Sequence, residues 1–168
     1  MDLRILPLGK EHDRKAFRCG EPLLDEYLHR YAGQDIRRRV NRVFVAVAAD
    51  ESRHIVGYYS LSAGSLTAEA LPDAYRRRLP RYPVPVVLLG RLVVATSHQR
   101  QGVGAVLLAD ALRRVAGASQ VMAVYAVVVD TLDDRAADFY REFGFIALPS
   151  RPGTLFLPLD SFLELSAN

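Results

Sequence analysis

Cysteine is nearly missing from this chain of 168 residues. Cys19 is the only one, which excludes an internal disulfide framework and fits a reducing compartment. No Cys/His cluster lies near it at metal-ligand spacing, so its expected role is packing or capping. Lysine is almost as scarce: Lys10 and Lys15 are the only two, and arginine carries the rest of a net charge of +3. The four histidines, His12, His29, His54 and His98, are scattered, with neither ligand spacing nor a Ser or Cys partner pattern. They read as surface or structural, and no metal is expected. Long apolar runs are absent too. The longest uncharged stretch, Val115 to Val129, contains Gly117, Ser119 and Gln120 and is too short to span a bilayer. The opening Met1-Asp2-Leu3-Arg4 lacks the basic and then apolar layout of a signal peptide. The expectation is a cytoplasmic protein with no membrane role. No repeat, low-complexity tract or linker interrupts the sequence, so one domain over residues 1–168 is expected.

The patterning predicts alternating elements. Leu3 to Pro7 reads as a short strand. Pro22 opens a helix whose apolar stripe is Leu23, Leu24, Tyr27, Leu28, Tyr31 and Ala32. Gln34 to Arg42 follows as a short helix or an arginine-rich loop. Val43–Ala48 and Ile55–Ser62 form an antiparallel hairpin around a turn from Ala49 to Arg53. A short helix starts at Pro72, and a proline-punctuated segment feeds a strand over Val86–Ala95. A helix over Gly102–Ala116 ends near Gly117, and Val121–Val129 is expected as a strand at the centre of the sheet. Asp133 caps a helix through Tyr140 that Gly144 ends. Two strands and a terminal helix or tail complete an α/β chain with a mixed sheet around one core. The arginines cluster at Arg30, Arg37, Arg38, Arg39 and Arg42, and again at Arg76, Arg77, Arg78 and Arg81, a distribution that suits a polyanionic partner or a solvated face.

One stretch carries chemistry. Leu92-Val93-Val94 ends a strand, Gln99-Arg100-Gln101-Gly102-Val103-Gly104-Ala105 makes a two-glycine loop, and an amphipathic helix follows. A loop of this kind converges backbone N–H groups on an anion. The dinucleotide fingerprint would need a third glycine where Leu107 stands, and a Walker loop would need Gly-Lys-Ser/Thr, which is absent. The remaining pattern, Gln99-x-x-Gly102-x-Gly104, resembles the acyl-CoA-binding motif of the GNAT N-acetyltransferases. Downstream, Ala136-x-x-Phe139-Tyr140-x-x-x-Gly144-Phe145 resembles the late helix and strand of the same family. Phe17-x-Cys19-Gly20-x-x-x-Leu24-Asp25-x-Tyr27-Leu28 and Pro83-x-Pro85 running into Leu89-Gly90-Arg91-Leu92 are similar to the GNAT toxins of bacterial type II toxin–antitoxin systems.

The resemblance implies a GNAT fold, α/β with a central mixed, mostly antiparallel β-sheet flanked by helices. It implies acetyl-CoA as co-substrate, held by Leu92, Val93, Val94, Gln99, Arg100, Gln101, Gly102, Val103, Gly104 and Ala105, with Asp133, Ala136 and Phe139 on the later helix. It implies a toxin acetylating the α-amino group of an aminoacyl-tRNA, which blocks translation, and a ribbon–helix–helix antitoxin as partner, with a homodimer as a further assembly. Tyr140 matches the family tyrosine near the CoA sulfur. An unperturbed tyrosine titrates near pH ~10, so its hydroxyl can protonate a departing thiolate of pKa roughly 8–9. Arg91 matches the toxin pattern, and with Arg38, Arg39 and Arg77 it could grip RNA phosphates. No residue stands out as general base among Glu69, Asp73, Ser60, Ser62 and Ser65. Two other readings stay open: a GNAT acting on a small amine or protein N-terminus, and a non-catalytic CoA-binding regulatory module.

Overall fold

A computed structural model describes residues 2–167, with side chains described through 165. Met1 and Asn168, which the single-domain reading and the signal-peptide reading include, lie outside the described residues. The described residues form seven strands and six α-helices in the order β1 (Leu3–Pro7), α1 (Pro22–Glu26), α2 (Ala32–Arg37), β2 (Arg42–Ala48), β3 (Glu51–Leu66), α3 (Asp73–Arg76), β4 (Val84–Val94), α4 (Val103–Ala118), β5 (Ala126–Asp130), α5 (Asp134–Glu142), β6 (Ile146–Leu148), β7 (Arg151–Pro158) and α6 (Leu159–Ala167). The strands join one sheet in the order β1-β2-β3-β4-β5-β7-β6. The β1–β2, β2–β3, β5–β7 and β6–β7 pairs are antiparallel and the β4–β5 pair is parallel, so the sheet is mixed and mostly antiparallel. Backbone contacts divide the chain into two compact units, one of residues 1–62 with 90–111, the other of residues 63–89 with 112–168.

In the first unit, Phe17, Tyr27, Leu28, Val45, Val47, Ile55, Tyr58 and Val93 share one buried cluster. The helix expected at Pro22 departs from its predicted stripe. A π-helical turn, Tyr27–Tyr31, joins α1 to α2, and the Ala32 N–H donates to the Tyr27 carbonyl five residues back. That wider turn rotates Tyr31 outward, leaving it 46% exposed, and brings Ala32 fully inside. Leu23 is 80% exposed, because the inner face of the first turn is occupied by Asp25, whose Oδ1 accepts the buried Cys19 N–H at 2.8 Å. Beyond α2 the segment is a turn, with Arg39 at φ 63°. The hairpin turn shrinks to Ala49–Asp50 and β3 runs longer at both ends than expected, since register shifts on either side of Val47 absorb the extra residues.

In the second unit, Leu66, Leu71, Val84, Val86, Ala126, Val128, Leu148 and Phe156 form the buried cluster. Here the expected Val121–Val129 strand is cut to Ala126–Asp130. Helix α4 passes through Gly117 to Ala118 instead of stopping at Gly117, and the Val121 and Met122 N–H groups both turn back to the Ala118 carbonyl. That leaves Val121 and Met122 86% and 68% exposed. The ladder starts only after the Tyr125 N–H reaches the Pro85 carbonyl at 2.8 Å. The helix expected at Pro72 is the single turn α3, with Pro72 at its N-cap.

Candidate functional site

The end of β4 and the turn after it lie in the first unit. The parallel ladder from β5 covers Val86 to Leu89 of β4 and stops there. On the opposite edge, the Ala95 N–H donates to the Val56 carbonyl of β3 at 2.9 Å. Amide direction alternates along a strand, so the Val94 N–H points to the edge that the β5 ladder leaves uncovered. Gly57 of β3 explains how tightly this strand end is backed. A Cβ there would lie 2.9 Å from the Val93 carbonyl oxygen and 2.9 Å from Leu107 Cδ1 of α4, so only glycine fits without displacing backbone.

The turn reverses direction twice, with Arg100 at φ 64° and Gly102 at φ 82°. A Cβ on Gly102 would meet nothing within 4 Å, so the left-handed backbone, rather than crowding, is what calls for glycine. Left-handed backbone at a non-glycine such as Arg100 is uncommon and tends to cluster at functional turns. The Val106 N–H bonds the Gly102 carbonyl at 3.3 Å. Helix geometry leaves the preceding N–H groups of Val103, Gly104 and Ala105 without intrahelical acceptors, a set of donors at the positive end of a sixteen-residue helix that suits an anion.

Gln99 takes a different part from the glycines. Its side-chain Nε2 donates to the Cys19 carbonyl at 2.9 Å and to the Val94 carbonyl at 3.0 Å, so the amide braces the turn from within. The same turn is laced to the N-terminal segment by the Thr96 N–H, which donates to the Arg18 carbonyl at 2.8 Å. Asp25 and Gln99 therefore hold the two sides of the Phe17–Gly20 segment. Arg100 and Gln101 are exposed, and Gln101 Nε2 reaches the Ser97 carbonyl at 3.5 Å.

Arg91 is half-buried and held flat. Its guanidinium carbon sits 3.4 Å from the Tyr27 ring centroid, and Nη1 donates to the buried Ser60 hydroxyl at 3.3 Å. The Tyr27 hydroxyl donates to Asp35 Oδ2 at 2.9 Å, and Asn41 Nδ2 donates to the same oxygen at 3.0 Å. Burial, followed by the bond to Asp35, pushes the Tyr27 phenol up to about 12. The aromatic clamp was not visible in the spacing, since Tyr27 read as a stripe residue and as part of the toxin-like pattern, with no link to Arg91. Arg38 and Arg39 are exposed at the end of α2, and no ion pair engages them among the described residues. Arg77 belongs to the other unit; it is exposed, while its neighbour Arg76 pairs with Asp73 at 2.6 Å.

The second unit holds the helix with the tyrosine. Asp133 caps α5 as expected, accepting the Ala136 N–H on Oδ1 at 2.8 Å. Tyr140 is 7% exposed, with its ring edge-on to Phe139 at 5.1 Å and to Phe145 at 5.3 Å. Among the described residues its hydroxyl has no hydrogen-bond partner, and burial alone pushes its pKa above the ordinary tyrosine value. Ala136 and Phe139 are half-buried on the same helix. Among the described residues no group of three or more metal-ligating side chains occurs, and no helix is long and apolar enough to cross a membrane.

Comparison with known proteins places these features in context. The sequence model of the acetyltransferase (GNAT) family matches residues 9–145. A tRNA-acetylating toxin of Mycobacterium tuberculosis is 37% identical over 145 residues, covering 86% of this chain and 85% of that one. The structure of AtaT complexed with acetyl-methionyl-tRNAfMet superposes with a TM-score of 0.91 at 32% identity, covering 99% of this chain and 100% of that one. A tyrosine-to-phenylalanine mutant of AtaT, bound to the C-terminus of its antitoxin AtaR and to acetyl-CoA, gives a TM-score of 0.84 at 29% identity and covers 100% of both chains.

Proposed function

The chain belongs to the GNAT acetyltransferase family, and on that footing we propose that it transfers the acetyl group of acetyl-CoA to the α-amino group of an aminoacyl-tRNA, stopping translation. The observation that carries the donor half is the Val94 N–H on the uncovered edge of β4, next to the left-handed turn at Gly102. The pantetheine arm is amide-bearing and pairs with Leu92–Val94 as a short strand would. The first-turn amides of α4 then receive the pyrophosphate. The Val94 N–H is aimed to donate to the thioester oxygen as it gains negative charge in the tetrahedral intermediate. In the reaction the amine nitrogen bonds to the acetyl carbon, the C–S bond breaks, and the sulfur leaves as thiolate. Tyr140 supplies the proton that this thiolate takes up, its phenol being neutral and free of competing hydrogen bonds among the described residues, while the nitrogen sheds its extra proton to solvent, from which the tyrosinate is reprotonated. Asp133, Ala136 and Phe139 contribute to the donor site as elements of the capped helix that carries Tyr140.

The acceptor half rests on the relatives. One curated relative is named as a tRNA-acetylating toxin, and AtaT has been seen with acetyl-methionyl-tRNAfMet. Arg38, Arg39 and Arg77 are exposed cations suited to RNA phosphate, whereas Arg91, stacked on Tyr27, orients the strand that carries the donor. An antitoxin as partner follows the AtaT–AtaR precedent. Its ribbon–helix–helix type, a homodimer and a cytoplasmic setting belong to the same proposal. The test is incubation with labelled acetyl-CoA and bulk charged tRNA, followed by deacylation and identification of the labelled amino acid. Label on the α-nitrogen of an esterified amino acid supports the assignment. Label confined to free amines or peptides refutes it in favour of a small-substrate GNAT.

A further inference from the structure

A pocket of about 420 Å³ lies in the first unit, walled by Lys10, Asp13, Arg14, Lys15, His29 and Arg53 together with His12. Four of these side chains are permanently cationic, and one is a carboxylate. They come from three places in the sequence: the loop after β1, the π-helical turn, and the start of β3. None of the arginine runs that stand out by eye lines it. Both lysines of the chain are here.

The loop is rigid for its length. The Gly9 N–H donates to His12 Nδ1 at 2.9 Å, the Asp13 N–H to the Arg53 carbonyl at 2.8 Å, and the Ala16 N–H to Asp13 Oδ1 at 3.3 Å. That last bond occupies one oxygen of the only carboxylate in the wall. Among the described residues, Lys10, Arg14, Lys15 and Arg53 form no ion pair. Glu11, outside the wall, lies 3.7 Å from His12 Nε2. Arg14 is half-buried; burial and then the nearby Arg37 charge lower its pKa, outweighing the opposing pull of the Glu11 carboxylate. Gathering cations this way is unfavourable in the free protein and becomes favourable once an anion enters. The wall carries no Phe, Tyr or Trp and its His12 ring is buried, so its cations suit phosphate contacts better than base stacking.

The pocket also shares a frame with the donor turn. Arg18 Nη1 donates to the Lys15 carbonyl at 2.8 Å, and the Arg18 carbonyl accepts the Thr96 N–H at 2.8 Å. Anything seated against the Lys10–Lys15 loop is thereby registered to the turn after β4.

We infer that this pocket is a phosphodiester site that grips the RNA backbone of the acceptor substrate independently of sequence; the inference rests on the proposed tRNA reading. Its contribution is affinity and salt dependence, with no part in choosing the amino acid.

The test uses the full chain with Lys10→Gln, Lys15→Gln and Arg53→Gln combined, all at exposed positions, and leaves the half-buried Arg14 intact. Binding of fluorescent uncharged tRNA is followed by anisotropy across a salt series. Each phosphate contact contributes about 0.7–0.9 to the slope of log K against log salt. The triple variant is expected to flatten that slope by about 2 and to weaken binding about tenfold near 0.15 M salt. Its thermal midpoint and acetyl-CoA affinity should match the wild type, which separates the effect from misfolding. An unchanged slope and affinity overturn the site while leaving acetylation of charged tRNA by the wild type as the separate test of function. Loss of binding to an acidic partner peptide with RNA binding intact also overturns it. If the wild type binds tRNA but acetylates none of it, the function fails and the phosphodiester site stands.

Discussion

Replacing Tyr140 with phenylalanine removes a single oxygen, and the surroundings of that oxygen set two separate expectations. The ring is buried between Phe139 and Phe145, and phenylalanine keeps all of that packing. The hydroxyl has no partner among the described residues, so its removal strands no acceptor and costs no hydrogen bond. Stability should then stay within about 0.5 kcal/mol of wild type, since no hydrogen bond is lost and the ring packing is kept. Tyr58 provides the contrast. Its hydroxyl donates to the Leu24 carbonyl at 2.7 Å, and Tyr58→Phe should cost about 1 kcal/mol, or roughly 2–4 °C in melting temperature at this chain length. Catalysis should respond in the opposite order. Loss of a positioned general acid lowers turnover by about 10²–10⁴-fold, equivalent to about 3–5 kcal/mol of barrier. The assay pairs thermal melts of both variants with single-turnover acetyl transfer at saturating acetyl-CoA. Because burial raises the Tyr140 pKa, the phenol keeps its proton through neutral pH, and wild-type turnover should show no falling limb from this group below pH ~10. Turnover within threefold of wild type in Tyr140→Phe, or a melting temperature lowered as in Tyr58→Phe, would refute the reasoning.

Arg91→Ala removes a cation stacked on Tyr27 and a 3.3 Å bond to Ser60, together worth about 2 kcal/mol, so the melting temperature should fall by about 4–8 °C. Arg91→Lys restores the charge without the flat stack and should recover little of that loss; full recovery of both stability and tRNA affinity would show that charge alone matters. Alkaline pH should destabilise the fold, because burial pushes the Cys19 thiol and the Tyr27 phenol each up to about 12. The unfolded chain releases those protons near pH ~8.5 and ~10, so it binds fewer protons than the folded chain above those values. Stability is full below pH ~8 and is lost as pH climbs toward 12; urea midpoints should show it, and Cys19→Ala should flatten the first part of the decline.

What the sequence could and could not show follows from the range of the interactions involved. The strand–turn–helix at Leu92 to Leu108 was legible because it is local: β-branched residues, glycines and helical spacing act over a few positions. The Asp133 cap was legible for the same reason. The Pro22 helix was only half legible, since periodicity assumes 3.6 residues per turn, and one π turn at Tyr27–Tyr31 moves every later residue around the axis. The Val121–Val129 run shows the converse. Its composition favours a strand, but helix α4 extends to Ala118 and captures the amides of Val121 and Met122 before the ladder can start.

What surrounds a side chain is hidden from the sequence by distance in the chain. Spacing can put Gln99 on the turn, yet the Cys19 carbonyl that takes its amide lies eighty residues away. Arg91 lies in an arginine-rich sequence and reads as another phosphate contact, and the Tyr27 ring beneath it stands sixty-four positions earlier, out of reach of any local pattern. The same physics separates the two kinds of arginine here. An arginine whose guanidinium is half-buried, stacked and bonded has already lost much of its rotamer freedom and hydration, and pulling it onto an RNA phosphate would forfeit those contacts. The exposed cations of the Lys10–Lys15 loop and Arg53 have nothing to give up. Density of arginine along the sequence therefore does not separate the two kinds; what marks a cation as free to take an anion is the lack of a stacking or ionic partner, which among the described residues Arg38 and Arg39 share with Lys10, Lys15 and Arg53.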